Sequence, residues 1–249
     1  DYYSFYSNGD YDITVNLIND NNNYTYIYLY DTDTTTQLGS AVNYAGGGIS
    51  FTTAGLAAGT YYIAVYAGGG SYSGYTLKNL YTPNPIIPDI EPNNTIATAT
   101  TVSYNSVNTG HIAYRNTGGT YDNYDHYVFT TPVDGDITLS LTNTNNAYTY
   151  LYLYDSDGVS QLASVVNYAQ AGISFTKGGL AAGTYYAVVY AGGGSYSGYT
   201  LTKTLTPSPF TADSEPNATI GNALTMAVNS SVNGHTSHRN NGGTYDDYD

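Results

Sequence analysis

Five oxygen-bearing side chains crowd two short stretches of this sequence. Asp89, Glu91 and Asn93 occupy alternate positions of D-I-E-P-N at 89–93, and Asp122 and Asp125 follow in the glycine-rich G-G-T-Y-D-N-Y-D at 118–125. Carboxylates, amide oxygens and backbone carbonyls are what calcium takes, about six to eight of them per ion. The same five types recur as Asp213, Glu215, Asn217, Asp246 and Asp249. A calcium ion is therefore the expected cofactor, and one cation would relieve repulsion among neighbouring carboxylates. The other reading is plainer: E-P-N is a turn, and Y-D-x-Y-D is a solvated acidic loop.

Enzyme chemistry finds little support. The histidines are His111, His126, His235 and His238. His111 and His235 are repeat equivalents, whereas His126 stands opposite Tyr2 and His238 opposite Tyr114. Neither a Ser-His-Asp order nor a pair of carboxylates in an apolar cleft recurs in both copies. Gly68-Gly69-Gly70 is no phosphate loop, because no Lys-Ser/Thr follows it. The sequence predicts a protein that is not an enzyme.

The elements that must hold the acidic residues are strands. Tyr148, Tyr150, Tyr152 and Tyr154 alternate with Thr149, Leu151 and Leu153, a period of two. Further strands are expected at 107–112, 125–130, 135–142, 171–176, 184–191 and 198–205. Glycine turns such as Ala191-Gly192-Gly193-Gly194 separate them. No stretch carries a 3.6-residue apolar period long enough for a sizeable helix. The fold class expected is all-β, an antiparallel β-sandwich or jelly roll.

Composition agrees. Of 249 residues 41% are hydrophobic, enough for packed cores, and 32 are tyrosines with no tryptophan beside them. The tyrosines have two readings: a core or cross-strand ladder with hydroxyls at the rim, or an exposed surface that stacks on sugars or joins subunits. Nineteen acids against five bases leave a net charge of −14, which argues against nucleic acid and anionic membranes as partners. Cysteine is absent, so no disulfide staples the fold. No apolar run approaches the ~20 residues of a membrane span. The opening Asp1-Tyr2-Tyr3 shows no signal peptide and reads as a mature or trimmed product. Four matches to the glycosylation sequon, at Asn23, Asn93, Asn217 and Asn229, are what chance gives in so Asn/Thr-rich a chain.

The whole chain repeats with an offset of 124 residues, without insertion or deletion, at about 60% identity. V-Y-A-G-G-G-S-Y-S-G-Y-T-L at 65–77 returns unchanged at 189–201, and E-P-N at 91–93 returns at 215–217. Proline-rich stretches at 82–88 and 206–209 mark linkers. The expected division is therefore an incomplete module at 1–82, a linker at 83–88, a complete module at 89–205, a linker at 206–212, and the opening segment of a further module at 213–249. That last segment has the sequence to complete residues 1–82 of a neighbouring chain.

The residues also carry a family likeness. D-I-E-P-N at 89–93, Gly110, D-N-Y-D-H-Y-V-F at 122–129, G-D-I-T-L-S-L at 135–141, L-Y-L-Y-D-S-D-G at 151–158, A-G-T-Y-Y-A-V-V at 182–189 and S-G-Y-T-L at 197–201 together resemble the bacterial pre-peptidase C-terminal domain. The resemblance implies a secreted β-sandwich that serves as an accessory, often beside peptidases. Some members bind calcium through the segments matched here by 89–93 and 122–125, and some bind collagen or other polymers. Two departures stand out: Asn94 and Ala218 follow E-P-N where the family often has Asp, and no peptidase domain is present.

Two functions follow. The first is a structural subunit of an extracellular filament or surface layer, assembled head to tail from copies of itself or as a longer covalent repeat, with Asp1 or Asp249 joining a calcium site at each junction. The alternative is an accessory region of a secreted hydrolase or adhesin that holds a polysaccharide or protein polymer through its tyrosines.

Overall fold

The computed structural model describes every residue except 22, 45, 70–71, 85, 87–88, 116–119, 146, 169–171, 194–195, 211–213, 215, 240–242 and 248–249. Strands β1 to β7 are Tyr2–Ser7, Tyr11–Asn19, Thr25–Tyr30, Gln37–Asn43, Gly48–Leu56, Gly59–Ala67 and Tyr75–Pro83. Next come β8 (Thr100–Thr101), β9 (Ser106–Ile112), β10 (Tyr114–Arg115) and β11 (Tyr121–Asp122). Strands β12 to β18 are Tyr124–Thr131, Gly135–Asn143, Tyr148–Tyr154, Gln161–Tyr168, Gly172–Leu180, Gly183–Ala191 and Ser197–Pro207. The last two, β19 and β20, are His238–Arg239 and Tyr245–Asp246. The helical structure among the described residues is two single turns of 3₁₀-helix, at Ile96–Thr98 and Ile220–Asn222. Among the described residues no helix is long and apolar enough to cross a membrane.

The strands form two compact units. The first holds Asp1–Ile87 together with Ala113–Asp122. Its sheets are β1-β6-β3-β4 and β11-β10-β5-β2-β7. Ile13, Val15 and Leu17 of β2 meet Ile27 and Leu29 of β3 and Ile63 and Val65 of β6 in a dry core. Those residues alternate with exposed or half-buried neighbours, so each strand gives one face to the core and one to water. Period-two patterning thus selects the sandwich, since two apolar sheet faces are buried by facing each other.

The second unit holds Pro88–Ile112 and Asn123–Asp249, with sheets β15-β14-β17-β12-β8 and β20-β19-β16-β13-β18-β9. Here β8 runs parallel to β12 and β9 antiparallel to β18. In the first unit β1 and β7 stand at the sheet edges, with no counterpart of β8 or β9 beside them among the described residues. The effect on packing is direct. Tyr127 of β12 is 1% exposed, whereas its repeat counterpart Tyr3 of β1 is 43% exposed.

The expected division at 89–205 differs from this grouping at both ends of the sequence's second repeat, since 206–249 falls in the second unit and 113–122 in the first. The ten residues Ala113–Asp122 pack with the first unit. Arg115 pairs with Leu56 of β5, and its side chain reaches the buried carboxylate of Asp31. The second unit has the same strap one repeat later: Arg239 pairs with Leu180 of β16 and bonds Asp155 at 2.9 Å. Part of 213–249 therefore engages its own chain.

Candidate metal centre and tyrosine face

The second unit by itself brings Asp89, Glu91, Asn93 and Asp125 together. One carboxylate oxygen from each of Asp89, Glu91 and Asp125 lies within 4.8 Å of the others. The bend through Glu91-Pro92 turns the 89–93 segment back on itself: the Asn93 N–H donates to Glu91 Oε2 at 2.9 Å, and Asn93 Nδ2 donates to Asp89 Oδ2 at 2.5 Å. The His126 N–H then donates to the Asn93 carbonyl at 3.0 Å, fastening the segment to β12. Asp125 is fixed by a phenol relay. Tyr199 donates to its Oδ2 at 2.5 Å, and Tyr127 and Tyr199 share a hydrogen bond of 2.6 Å. Burial and the Asp125 charge push the Tyr199 phenol well up, so it remains a donor. Gly110 makes room for the relay, since a Cβ there would stand 2.4 Å from the Tyr199 hydroxyl.

Three clustered carboxylates repel one another unless a cation or protons intervene. Asn93 adds a second observation. It is 0% exposed, and its Oδ1 has no hydrogen-bond partner, a cost a buried amide oxygen ordinarily avoids. Hard oxygen donors of this kind, without sulfur, fit calcium better than zinc or copper.

Asp122, buried, is the last residue of the strap and pairs with Tyr114 of β10. Asp1 repeats the role of Asp125 in the relay: Tyr75 donates to its carboxylate at 2.5 Å and shares a 2.5 Å bond with Tyr3. Among the described residues no cluster of three potential ligands includes Asp1. Asn217 and Asp246 are buried in the second unit, while Asp213, Glu215 and Asp249 lie outside the described residues.

The tyrosines resolve into a ladder on the outer face. In β14 the buried residues are Thr149, Leu151 and Leu153, and Tyr148, Tyr150, Tyr152 and Tyr154 stand half-buried on the opposite side. Ring centroids follow one another at 5.3, 5.7 and 5.9 Å, and Tyr190 and Tyr168 stack against the row from neighbouring strands. Tyr124 stacks on Tyr190 at 4.3 Å. The first unit repeats the pattern with Tyr24, Tyr26, Tyr28, Tyr30, Tyr44 and Tyr66. Hydrogen bonding to Tyr150 and burial push Tyr148 up to about 12, and burial pushes Tyr152 to about 12. These phenols are neutral donors and acceptors across the physiological range.

Residues 123–191 match the family model of the bacterial pre-peptidase C-terminal domain. The matched stretch begins one residue before β12 and ends with β17. Among solved structures, the pre-peptidase C-terminal domain of a Bacillus anthracis collagenase is similar at 19% identity, with a TM-score of 0.35, over 47% of this chain and 100% of that one. A Yersinia pseudotuberculosis mitogen is similar at 14% identity and a TM-score of 0.28, over 41% of this chain and 86% of that one. A Clostridium perfringens M60 catalytic domain with two CBM51 domains gives 9% identity and a TM-score of 0.27, over 82% of this chain and 33% of that one. No curated protein matches.

Arg115 and Arg239 escaped the sequence reading. Their signal was available: they are two of only five basic residues, and they stand one repeat apart.

Proposed function

We infer that this chain is a non-catalytic, extracellular accessory region that holds an extended polysaccharide through its tyrosine faces, with calcium stiffening the second unit. The observation that carries this reading is the ladder, built at the same repeat positions of both units. A tyrosine offers a rigid apolar body and a polar tip at low entropic cost. A row of them presents ring faces for sugar C–H groups and hydroxyls for sugar hydroxyls. The match at 123–191 to an accessory-domain family agrees with that role. Asp89, Glu91, Asn93 and Asp125 would hold the calcium ion, and the ion would balance their charge.

The test is co-sedimentation with insoluble polysaccharides such as cellulose, chitin and peptidoglycan, beside fibrillar collagen. Binding to a polysaccharide that falls at least tenfold in a Tyr150→Ala/Tyr152→Ala variant supports the reading. Retention on collagen alone sinks it. Calcium is tested separately by calorimetry: saturable binding that Asp125→Ala removes is expected, and no heat up to millimolar calcium sinks that part.

A second reading has its own observation. Between β1 and β7 a cavity of about 400 Å³ is lined by Tyr3, Phe5, Ile63, Tyr75 and Leu77. In the second unit, β8 and β9 pair with the strands equivalent to β1 and β7. Residues 216–237 lie outside both sheets, with Ile220 98% exposed. Insertion of that segment from one copy beside β1 and β7 of the next would give a head-to-tail filament. Light scattering after size exclusion decides: a species above 26.6 kDa that dissociates when a synthetic 89–112 peptide is added supports assembly, and a monomer refutes it.

A further inference from the structure

Apart from the acidic cluster, the second unit gathers a different donor set where its C-terminal strap meets the turn before β13. His235, His238 and Asp134 each offer one ligand atom, and those atoms lie within 4.8 Å of one another. We propose that they form a two-histidine, one-carboxylate site for a borderline divalent transition metal, zinc foremost.

The local backbone explains how the donors converge. Ser237 takes a left-handed φ of +57°, and its N–H donates to the Asp246 carbonyl at 2.5 Å. That turn places the two imidazoles of H-T-S-H face to face, with centroids 4.3 Å apart and planes 12° from parallel. Asp134 is held from the other side. Its Oδ1 accepts the Ala182 N–H at 2.7 Å, while Oδ2 lies 3.9 Å from His238 Nε2. A second carboxylate, Asp246, lies 3.8 Å from His235 Nδ1, in the place of the outer acid that commonly orients a ligating histidine.

His238 is the independent witness. It is 6% exposed, and neither ring nitrogen has a hydrogen-bond partner. A buried imidazole of that kind is costly unless something binds it. Tetrahedral zinc with ligands at about 2.0–2.1 Å brings donors to about 3.3 Å from each other, so the observed spacing needs only side-chain adjustment. Two imidazoles with one carboxylate suit zinc, and calcium prefers an all-oxygen set. A water would complete the fourth position.

The site is peculiar to the second unit. The counterparts of Asp134, His235 and His238 one repeat earlier in the sequence are Asp10, His111 and Tyr114, so that copy keeps one imidazole of the pair. The metal would tie the strap at His238–Asp246 to the turn at Asp134, next to the Arg239–Asp155 pair. The first unit holds its strap without this tie.

The experiment uses the untagged 249-residue protein, stripped with chelator and titrated with cobalt(II) as a spectroscopic stand-in for zinc. One equivalent should bind with visible d–d bands of a tetrahedral ion. Zinc should bleach them, and millimolar calcium should not. His238→Tyr installs the residue of the first unit and should remove the bands while the far-ultraviolet circular dichroism stays unchanged. Asp134→Asn should weaken binding at least tenfold and serves if His238→Tyr misfolds. Absence of bands in the unaltered protein overturns the proposal, as do bands that survive both substitutions or disappear on adding calcium.

Discussion

Replacing Arg115 by methionine should destabilise the first unit far more than a surface change would. The guanidinium donates from Nε to Asp31 Oδ2 at 2.8 Å, and its Nη2 approaches the same oxygen at 2.6 Å. It also lies 5.0 Å over the Tyr121 ring. Both partners of the pair are below 5% exposed, so solvent screens it little. Desolvation works against the buried cation, but bonding to Asp31 outweighs it and holds the arginine charged. Methionine fills similar volume but leaves Asp31 buried without its counter-charge, a loss of about 3–5 kcal/mol. For a unit of about 100 residues, each kcal/mol lowers the melting temperature by roughly 4–8 °C, so the fall should exceed ~12 °C. Calorimetry of the intact chain should show the transition of the first unit moving while that of the second stays. The amide of Ala57, which donates to the Arg115 carbonyl at 3.2 Å, should lose hydrogen-exchange protection as the strap loosens. Asp31→Asn added to Arg115→Met should recover most of the loss, because a buried pair replaced on both sides is often neutral. A shift under about 1 kcal/mol, or a double variant no better than the single one, would refute the reasoning.

Lys203 offers a test by pH. Burial pushes its amine down to about 8, and Nζ donates to Asn108 Oδ1 at 2.5 Å. A folded-state pKa below the unfolded one means that stability rises as pH climbs from about 8 to 10.5, so at neutral pH the charge carries a penalty on the order of 3 kcal/mol. Lys203→Met should stabilise the second unit by about 1–3 kcal/mol at pH 7, with the gain gone near pH 10.5; urea midpoints at the two pH values check it. Gly110→Ala should cost roughly 1–3 kcal/mol by driving a methyl into the Tyr199 hydroxyl, and an unchanged melting temperature would contradict the packing described. Alkaline titration should show a late wave of phenol ionisation, since Tyr24, Tyr148 and Tyr152 are each pushed to about 12. Raised folded pKa values favour folding at lower pH, so stability should fall as pH rises from 10 to 12. A single wave near pH 10, with no late component, would count against the ladder.

What the sequence disclosed depended on how local the cause was. Strand β14 was legible because Leu151 and Leu153 alternate with tyrosines, and only a sheet with one dry face produces that pattern. The same alternation left the tyrosine side open between core and surface. Packing decides that: Leu and Ile fill the space between the sheets, and the rings go outside. Strand β15 was missed because its burial repeats in pairs with no clean alternation, as suits an edge with one neighbour. Asp89, Glu91 and Asn93 were legible from their spacing, whereas the phenol relay needs Tyr199, 74 residues away from Asp125. Lys203 lay in plain view on the core-facing phase of Tyr199, Leu201 and Leu205, and charge alone concealed it. The strap was beyond local reading, since Arg115 meets a carboxylate 84 residues earlier.

That strap bears on how the protein is made. The residues of the first unit are not contiguous: they stop at Ile87 and resume at Ala113. On the ribosome its seven main strands emerge first, yet Asp31 meets its partner only after Arg115 has left the exit tunnel. By then the opening residues of the second unit have been synthesised too. Folding of one unit is thus timed by translation of the next, and a fragment ended at the proline-rich linker would lack its last two strands however long it was given to fold.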